Sequence, residues 1–147
     1  MLKNTDNVYQ KKRKMIDMKI IELILLATGG ITGAFIRFKI TESPLLFGAL
    51  QVNVLIVNII GSFILGLFVV MTQQWSLEQK YVLLVAVGFC GSLTTMSAFA
   101  LETTNLMESK QFGMAAINIL GNVSLSIGAI FGGMSLMNLI VRGDLIK

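Results

Sequence analysis

The chain has 147 residues, of which 54% are hydrophobic and 14% charged, with a mean hydropathy of +0.77. A soluble domain carries roughly 25% charged residues, so the polar surface needed to cover a water-facing globule is missing and a bilayer is the fitting solvent. There is no histidine, which excludes imidazole acid–base chemistry, Ser-His-Asp triads and imidazole metal sites, and the single cysteine, Cys90, excludes an intrachain disulfide.

Residues 1–19 form a basic N-terminal tail holding Lys3, Lys11, Lys12, Arg13, Lys14 and Lys19, half of the twelve basic residues. An apolar segment follows at once, so this charge reads as a juxtamembrane anchor for anionic lipid and not as a nucleic-acid arm. The first apolar run, 20–38, is longer than the core of a signal peptide and is expected to be a retained helix. The turn Thr41-Glu42-Ser43-Pro44 carries the only proline, and the second run, 52–71, contains no charge. A polar loop with the interfacial aromatic Trp75 leads to the third segment, 81–106, and a short loop leads to the fourth, 112–140. A crossing needs about 20 apolar residues, so the reading is one four-helix membrane domain over 20–141, with a short C-terminal tail at 142–147.

Four crossings place both termini on one side. Outside the tail, Lys80, Arg142 and Lys147 fall on that side and Arg37, Lys39 and Lys110 on the other, so the helical body has no topological preference of its own. Met15 and Met18 are alternative starts that would remove much of the tail's bias.

Helices in lipid associate through small residues and sparse hydrogen bonds. Gly29-xxx-Gly33 and Gly128-xxx-Gly132 have the spacing for close backbone approach. Asn58 and Ser62 share a face of the second segment, while Asn118, Asn122 and Ser126 form a stripe along the fourth. That stripe fits a polar track for a solute and interhelical bonding equally well. In the third segment, Gly88, Gly91 and Ser92-Leu93-Thr94-Thr95 combine flexible backbone with hydroxyls that compete for carbonyls, so a break in the helix is expected halfway across. Such a break persists only in protein or beside a wet cavity, where freed carbonyls can hold a cation. Beyond it, Met96 and Phe99 are three apart, a spacing that usually means packing. Amide and hydroxyl donors with aromatic ring edges, and no deep acid in the first two segments, favour an anion as the solute.

Three strings carry a resemblance: GITGAFIRF at 30–38, VNIIGSFILG at 57–66 and GFCGSLTTMSAFALE at 88–102. In this order and in the first three segments, they resemble the CrcB/Fluc fluoride channel family, and the likeness extends over residues 22–140. It implies an all-α membrane protein with a broken third helix, assembled as an antiparallel, dual-topology dimer in the cell membrane. Two fluoride pores and a structural sodium ion at the dimer's centre are implied with it. By motif, Asn58 corresponds to a pore-lining amide, and Gly91 and Thr94 to the carbonyls that bind sodium. Phe99 is similar to the second of two phenylalanines that contact fluoride. Ser97 and Glu102 match polar positions beside the path, Asn118, Asn122 and Ser126 fall on the fourth-helix track, and Arg37 matches an arginine ending the first helix.

The chain also departs from that pattern. Met96 stands where the first phenylalanine is usual and offers a polarizable thioether without a ring edge. Ala98 stands for Thr, Asn53-Val54 for Gly-Thr, Asn122 for a common serine and Asn118 for a common tyrosine. The tail and Met96 together suggest a variant, in which the chain is one subunit of a heterodimer with a paralogue. Small multidrug proton antiporters share the four-span architecture, but they need a carboxylate deep in the first helix and Glu22 lies near its entry. A structural membrane subunit is the remaining alternative; no constellation supports an enzyme.

Overall fold

A computed structural model describes residues 2–144; Lys147 and the end of the C-terminal tail lie outside the described residues. Helix α1 spans Leu2–Thr41, α2 Asn53–Trp75, α3 residues 79–93, α4 Met96–Glu108 and α5 Phe112–Asp144. With α3 and α4 counted as one interrupted crossing, four helical stretches are long and apolar enough to span a membrane: Met15–Thr41, Asn53–Trp75, Gln79–Glu108 and Phe112–Gly143. The four expected segments are all present, each a few residues longer than the apolar run that announced it. At about 1.5 Å per residue the 23 residues of α2 reach about 35 Å, enough for a hydrocarbon core of about 30 Å. The basic tail is continuous with the first crossing: α1 is a single helix of 40 residues.

Helical backbone satisfies its own polar groups in lipid, and the threonines follow suit. Thr28, Thr32, Thr72 and Thr104 each donate their hydroxyl to the carbonyl four residues earlier, on Ile24, Thr28, Phe68 and Ala100.

The packing pairs are α1 with α3 and α2 with α5. Gly29 and Gly33 make the first pair close: a Cβ on either would run into the carbonyl oxygen of Leu84 or of Phe89. The second pair depends on Gly66 and Gly133, where a Cβ would meet the carbonyls of Ile130 and Phe63. Within the single chain, the Gly128-xxx-Gly132 pair does not make the close approach between α5 and α2. Around Gly128 a Cβ would meet nothing within 4 Å, and at Gly132 only the Phe63 ring at 3.9 Å, because Gly133 holds the face turned towards α2.

Between α1 and α2 the chain forms a two-residue-by-two-residue antiparallel hairpin, β1 (Leu46–Phe47) with β2 (Leu50–Gln51), turning at Gly48 in the left-handed region with φ 62°. Asn53, only 3% exposed, fastens it. Its Oδ1 accepts from the Leu45 N–H at 2.6 Å, and its Nδ2 donates to the carbonyls of Ile40 at 2.5 Å and Ser43 at 3.0 Å. One side chain thus joins the end of α1, the hairpin and the start of α2.

The third crossing is irregular along its length. Leu83–Cys90 winds as a π-helix, and at its end the Gly91 N–H donates to the Ala86 carbonyl five residues back. After Leu93 the chain is extended at Thr94 (φ −75°, ψ 154°) and Thr95 (φ −149°, ψ 112°), and α4 then starts. The predicted break is therefore at Thr94-Thr95, half-way along the crossing.

Candidate functional site

Thr95 starts α4 by accepting the Ala98 N–H on its hydroxyl oxygen at 3.2 Å, a helix cap. Its own N–H donates across to Asn58 Oδ1 on α2 at 2.8 Å. These two bonds consume two N–H groups that an unbroken helix would have used elsewhere. The Thr95 N–H would have closed on the Gly91 carbonyl, and the Ala98 N–H on the Thr94 carbonyl. Gly91 and Thr94, the two positions expected to bind a cation through carbonyls, are thus the two whose helical partners have been taken by side chains. Into this region reaches Arg37 from α1, with Nη1 at 3.5 Å from the Thr94 carbonyl.

Two cavities flank the break, and Thr95 lines both. The smaller, about 400 Å³, is bordered by Asn58, Ser62, Gly91, Thr94, Met96, Phe99, Asn122 and Ser126 together with apolar residues. Among the described residues, no Asp, Glu, Lys or Arg borders it. Phe99 is 8% exposed, whereas Met96 is 73% exposed, so one wall is built and the other open. The larger, about 550 Å³, is bordered by Arg37, Thr41, Ser97, Glu102, Asn105 and Gln111 among others. Glu102 holds one carboxylate oxygen, Oε2, out of contact with any hydrogen-bond partner among the described residues.

The expected site residues are therefore divided between two chambers. Asn58, Gly91, Thr94, Met96, Phe99, Asn122 and Ser126 meet in the neutral one; Arg37, Ser97 and Glu102 meet in the charged one. Asn118 borders neither. It is 1% exposed and donates from Nδ2 to the Thr103 hydroxyl on α4 at 3.0 Å. Thr103 was not singled out in the sequence, where a threonine hydroxyl carries no sign of its partner, and Thr95 was named there only as part of the run that breaks the helix, not as a site residue. For Thr95 a signal existed: it sits three residues before Ala98, at the start of the helix that follows the expected break.

The amides meet end to end. Asn58 Nδ2 donates to Asn122 Oδ1 at 2.9 Å, and Asn122 Nδ2 donates to Asn118 Oδ1 at 2.8 Å and to the Asn118 carbonyl at 3.1 Å. Buried amides must be paired in this way, since an unpaired one costs about 1–3 kcal/mol. The stripe along α5 therefore does bond between helices, and one end of it borders a cavity.

The fold and site define a small polytopic α-helical membrane protein with an uncharged polar chamber at a broken crossing. Residues 24–134 match the family described as CrcB-like protein, Camphor Resistance (CrcB). The chain is 60% identical over 124 residues to the fluoride-specific ion channel FluC of Nitrosopumilus maritimus, covering 84% of this chain and 98% of that one. It is 40% identical over 113 residues to the protein of the same name from Methanococcus vannielii, covering 76% and 92%. With that of Methanocaldococcus jannaschii it shares 42% over 105 residues, covering 71% and 84%. The chain belongs to the CrcB family.

Proposed function

We propose that this chain is a passive, fluoride-selective channel that lets the anion leave the cytoplasm across the plasma membrane and so lowers its toxicity. The observation that carries the reading is the chamber at the helix break, bordered by amide, hydroxyl and aromatic groups and, among the described residues, by no charged side chain. Neutral donors can replace the hydration of a small anion without holding it as a fixed cation would. With a negative interior, an outward-moving anion gains about 2.3 kcal/mol per 100 mV, so no other energy source is required. The names of the relatives, fluoride-specific ion channels, support this choice of anion.

In this reading Asn58, Met96, Phe99, Asn122 and Ser126 border the fluoride route, with Ser97, Glu102 and Arg37 in the adjoining vestibule and Asn118 behind it. The working unit is an antiparallel, dual-topology dimer with two pores, in which a second copy closes the side left open by Met96. The carbonyls of Gly91 and Thr94 are oxygen ligands of the kind a hard cation such as sodium takes; both have lost their helical donors to side chains, and at Thr94 the ion would share or replace the long contact from Arg37 Nη1 at 3.5 Å. Bound there, the ion would supply fixed positive charge between the subunits.

Protein reconstituted in liposomes should release fluoride and not chloride; equal rates for both, or none for fluoride, would sink the reading. Exchanging sodium for a large organic cation throughout purification should lower the flux, and an unchanged flux removes sodium from it. The six basic residues of the tail favour one orientation, which supports the heterodimer variant. Vigorous efflux from this chain alone, inserted both ways, refutes that variant.

A further inference from the structure

Side-chain amide oxygen and nitrogen are nearly alike in shape, so a row of asparagines does not by itself reveal which way each points. Here the groups at its ends decide. The Thr95 N–H can only donate, so the Asn58 atom 2.8 Å from it is Oδ1. The Asn118 main-chain carbonyl can only accept, so the Asn122 atom at 3.1 Å is Nδ2. The Thr103 hydroxyl spends its proton on the Phe99 carbonyl at 2.8 Å, so the Asn118 atom facing it at 3.0 Å is Nδ2. These three anchors agree: every junction from Thr95 through Asn58, Asn122 and Asn118 to Thr103 joins one donor to one acceptor.

The geometry points to a division of labour within this row: Asn122, backed by Asn118 and Thr103, is a positioning residue that holds the Asn58 amide in one orientation, and does not itself contact the permeating anion. The Asn122 amine is committed to Asn118, through both the side-chain and the main-chain oxygen, and its own oxygen is committed to Asn58. What it has left towards the chamber is a carbonyl oxygen, which repels an anion. Asn58 is different. One of its amine hydrogens is held by Asn122 at 2.9 Å, while its other contact, to the Thr95 carbonyl, is long and weak at 3.5 Å. Of the three amides, Asn58 alone both borders the chamber and keeps a hydrogen without a close acceptor. The row therefore delivers a single oriented N–H to the chamber, and its other members serve to keep that N–H from turning away.

The consequence for flux rests on the fluoride-channel reading; the orientation of Asn58 does not. The full chain, labelled with ¹⁵N-asparagine in lipid nanodiscs, is titrated with sodium fluoride and, in a parallel sample, sodium chloride. Fluoride should shift the side-chain amide resonances of Asn58 and leave those of Asn122 and Asn118 in place, with Asn53 as internal reference; a shift at Asn122 as large as at Asn58 overturns the assignment. In Asn122→Leu the Asn58 side-chain resonances should move without fluoride, and efflux should fall about tenfold, the factor given by losing one ordinary hydrogen bond. Asn118→Leu keeps the main-chain acceptor for Asn122 and should do the same to a smaller extent, which covers the case in which Asn122→Leu does not fold. Asn58 resonances unmoved in either folded variant overturn the relay. If unmodified protein releases no fluoride, the channel reading falls, while the Asn58 resonances in the two variants still decide the relay.

Discussion

Asn58→Leu tests the central geometry most directly, because leucine has similar bulk and neither a donor nor an acceptor. It leaves the Thr95 N–H and Asn122 Oδ1 without partners. Each buried unpaired group costs about 1–3 kcal/mol, so the local penalty is about 2–6 kcal/mol. The chain has one escape. The freed Thr95 N–H can close on the Gly91 carbonyl four residues back, joining α3 to α4 as a continuous helix and withdrawing a carbonyl from the proposed cation site. Rewinding would also turn α4 and move Met96 and Phe99 away from Ser126. In the proposed fluoride route the variant further loses a hydrogen bond to the anion, worth about 1.5–3 kcal/mol for a charged partner, so efflux should fall roughly 10- to 100-fold. Efflux is measured from liposomes with a fluoride electrode at matched protein-to-lipid ratio, with size exclusion confirming an unchanged assembly. Hydrogen exchange at the Thr95 amide reports whether the helix has rewound. Efflux within about threefold of the unsubstituted chain, from a monodisperse sample, would refute the reasoning.

Asn53→Ala removes three hydrogen bonds that fasten the hairpin to two helices; at about 1 kcal/mol each, a loss of about 3 kcal/mol is expected, seen as a lower unfolding temperature in detergent. Gly133→Val places a branched side chain against the Phe63 carbonyl, where even a Cβ does not fit, and should leave α2 and α5 unpaired, read as loss of monodisperse protein. Gly128→Ala, on open space, should leave the elution profile unchanged. Met96→Phe changes a side chain that is 73% exposed in the single chain, so the fold of one subunit should shift by less than about 0.5 kcal/mol, apart from any change in dimer packing, which size exclusion reads separately. It supplies a ring edge with partial positive charge, and fluoride efflux should rise; a decrease would show that the thioether is the better lining. Thr95→Val removes the cap of α4 and should destabilise by about 1 kcal/mol, with Thr95→Ser restoring it.

The crossings could be read from the sequence because a bilayer imposes a one-dimensional requirement: enough apolar residues in a row. The break was legible for a related reason, since glycines and hydroxyl residues cannot hold a helix together against competing bonds. Within the single chain, the small-residue spacing marks a close contact at Gly29 and Gly33 but none at Gly128 and Gly132. Spacing names a face but not what lies opposite, and opposite Gly128 there is open space. The site residues were named from motifs, yet only their placement shows that Arg37, Ser97 and Glu102 border a different chamber from Asn58, Phe99 and Ser126.

By itself, then, the sequence determined what depends on composition and local order: a membrane chain, four crossings, an interrupted third and a balanced body behind a basic tail. The tertiary structure decided the matters that depend on two distant residues meeting. Asn58 and Thr95 are 37 positions apart, and Asn58 and Asn122 are 64 apart. Whether an amide lines a path or braces another amide depends on which atoms its two ends face, and no periodicity records that.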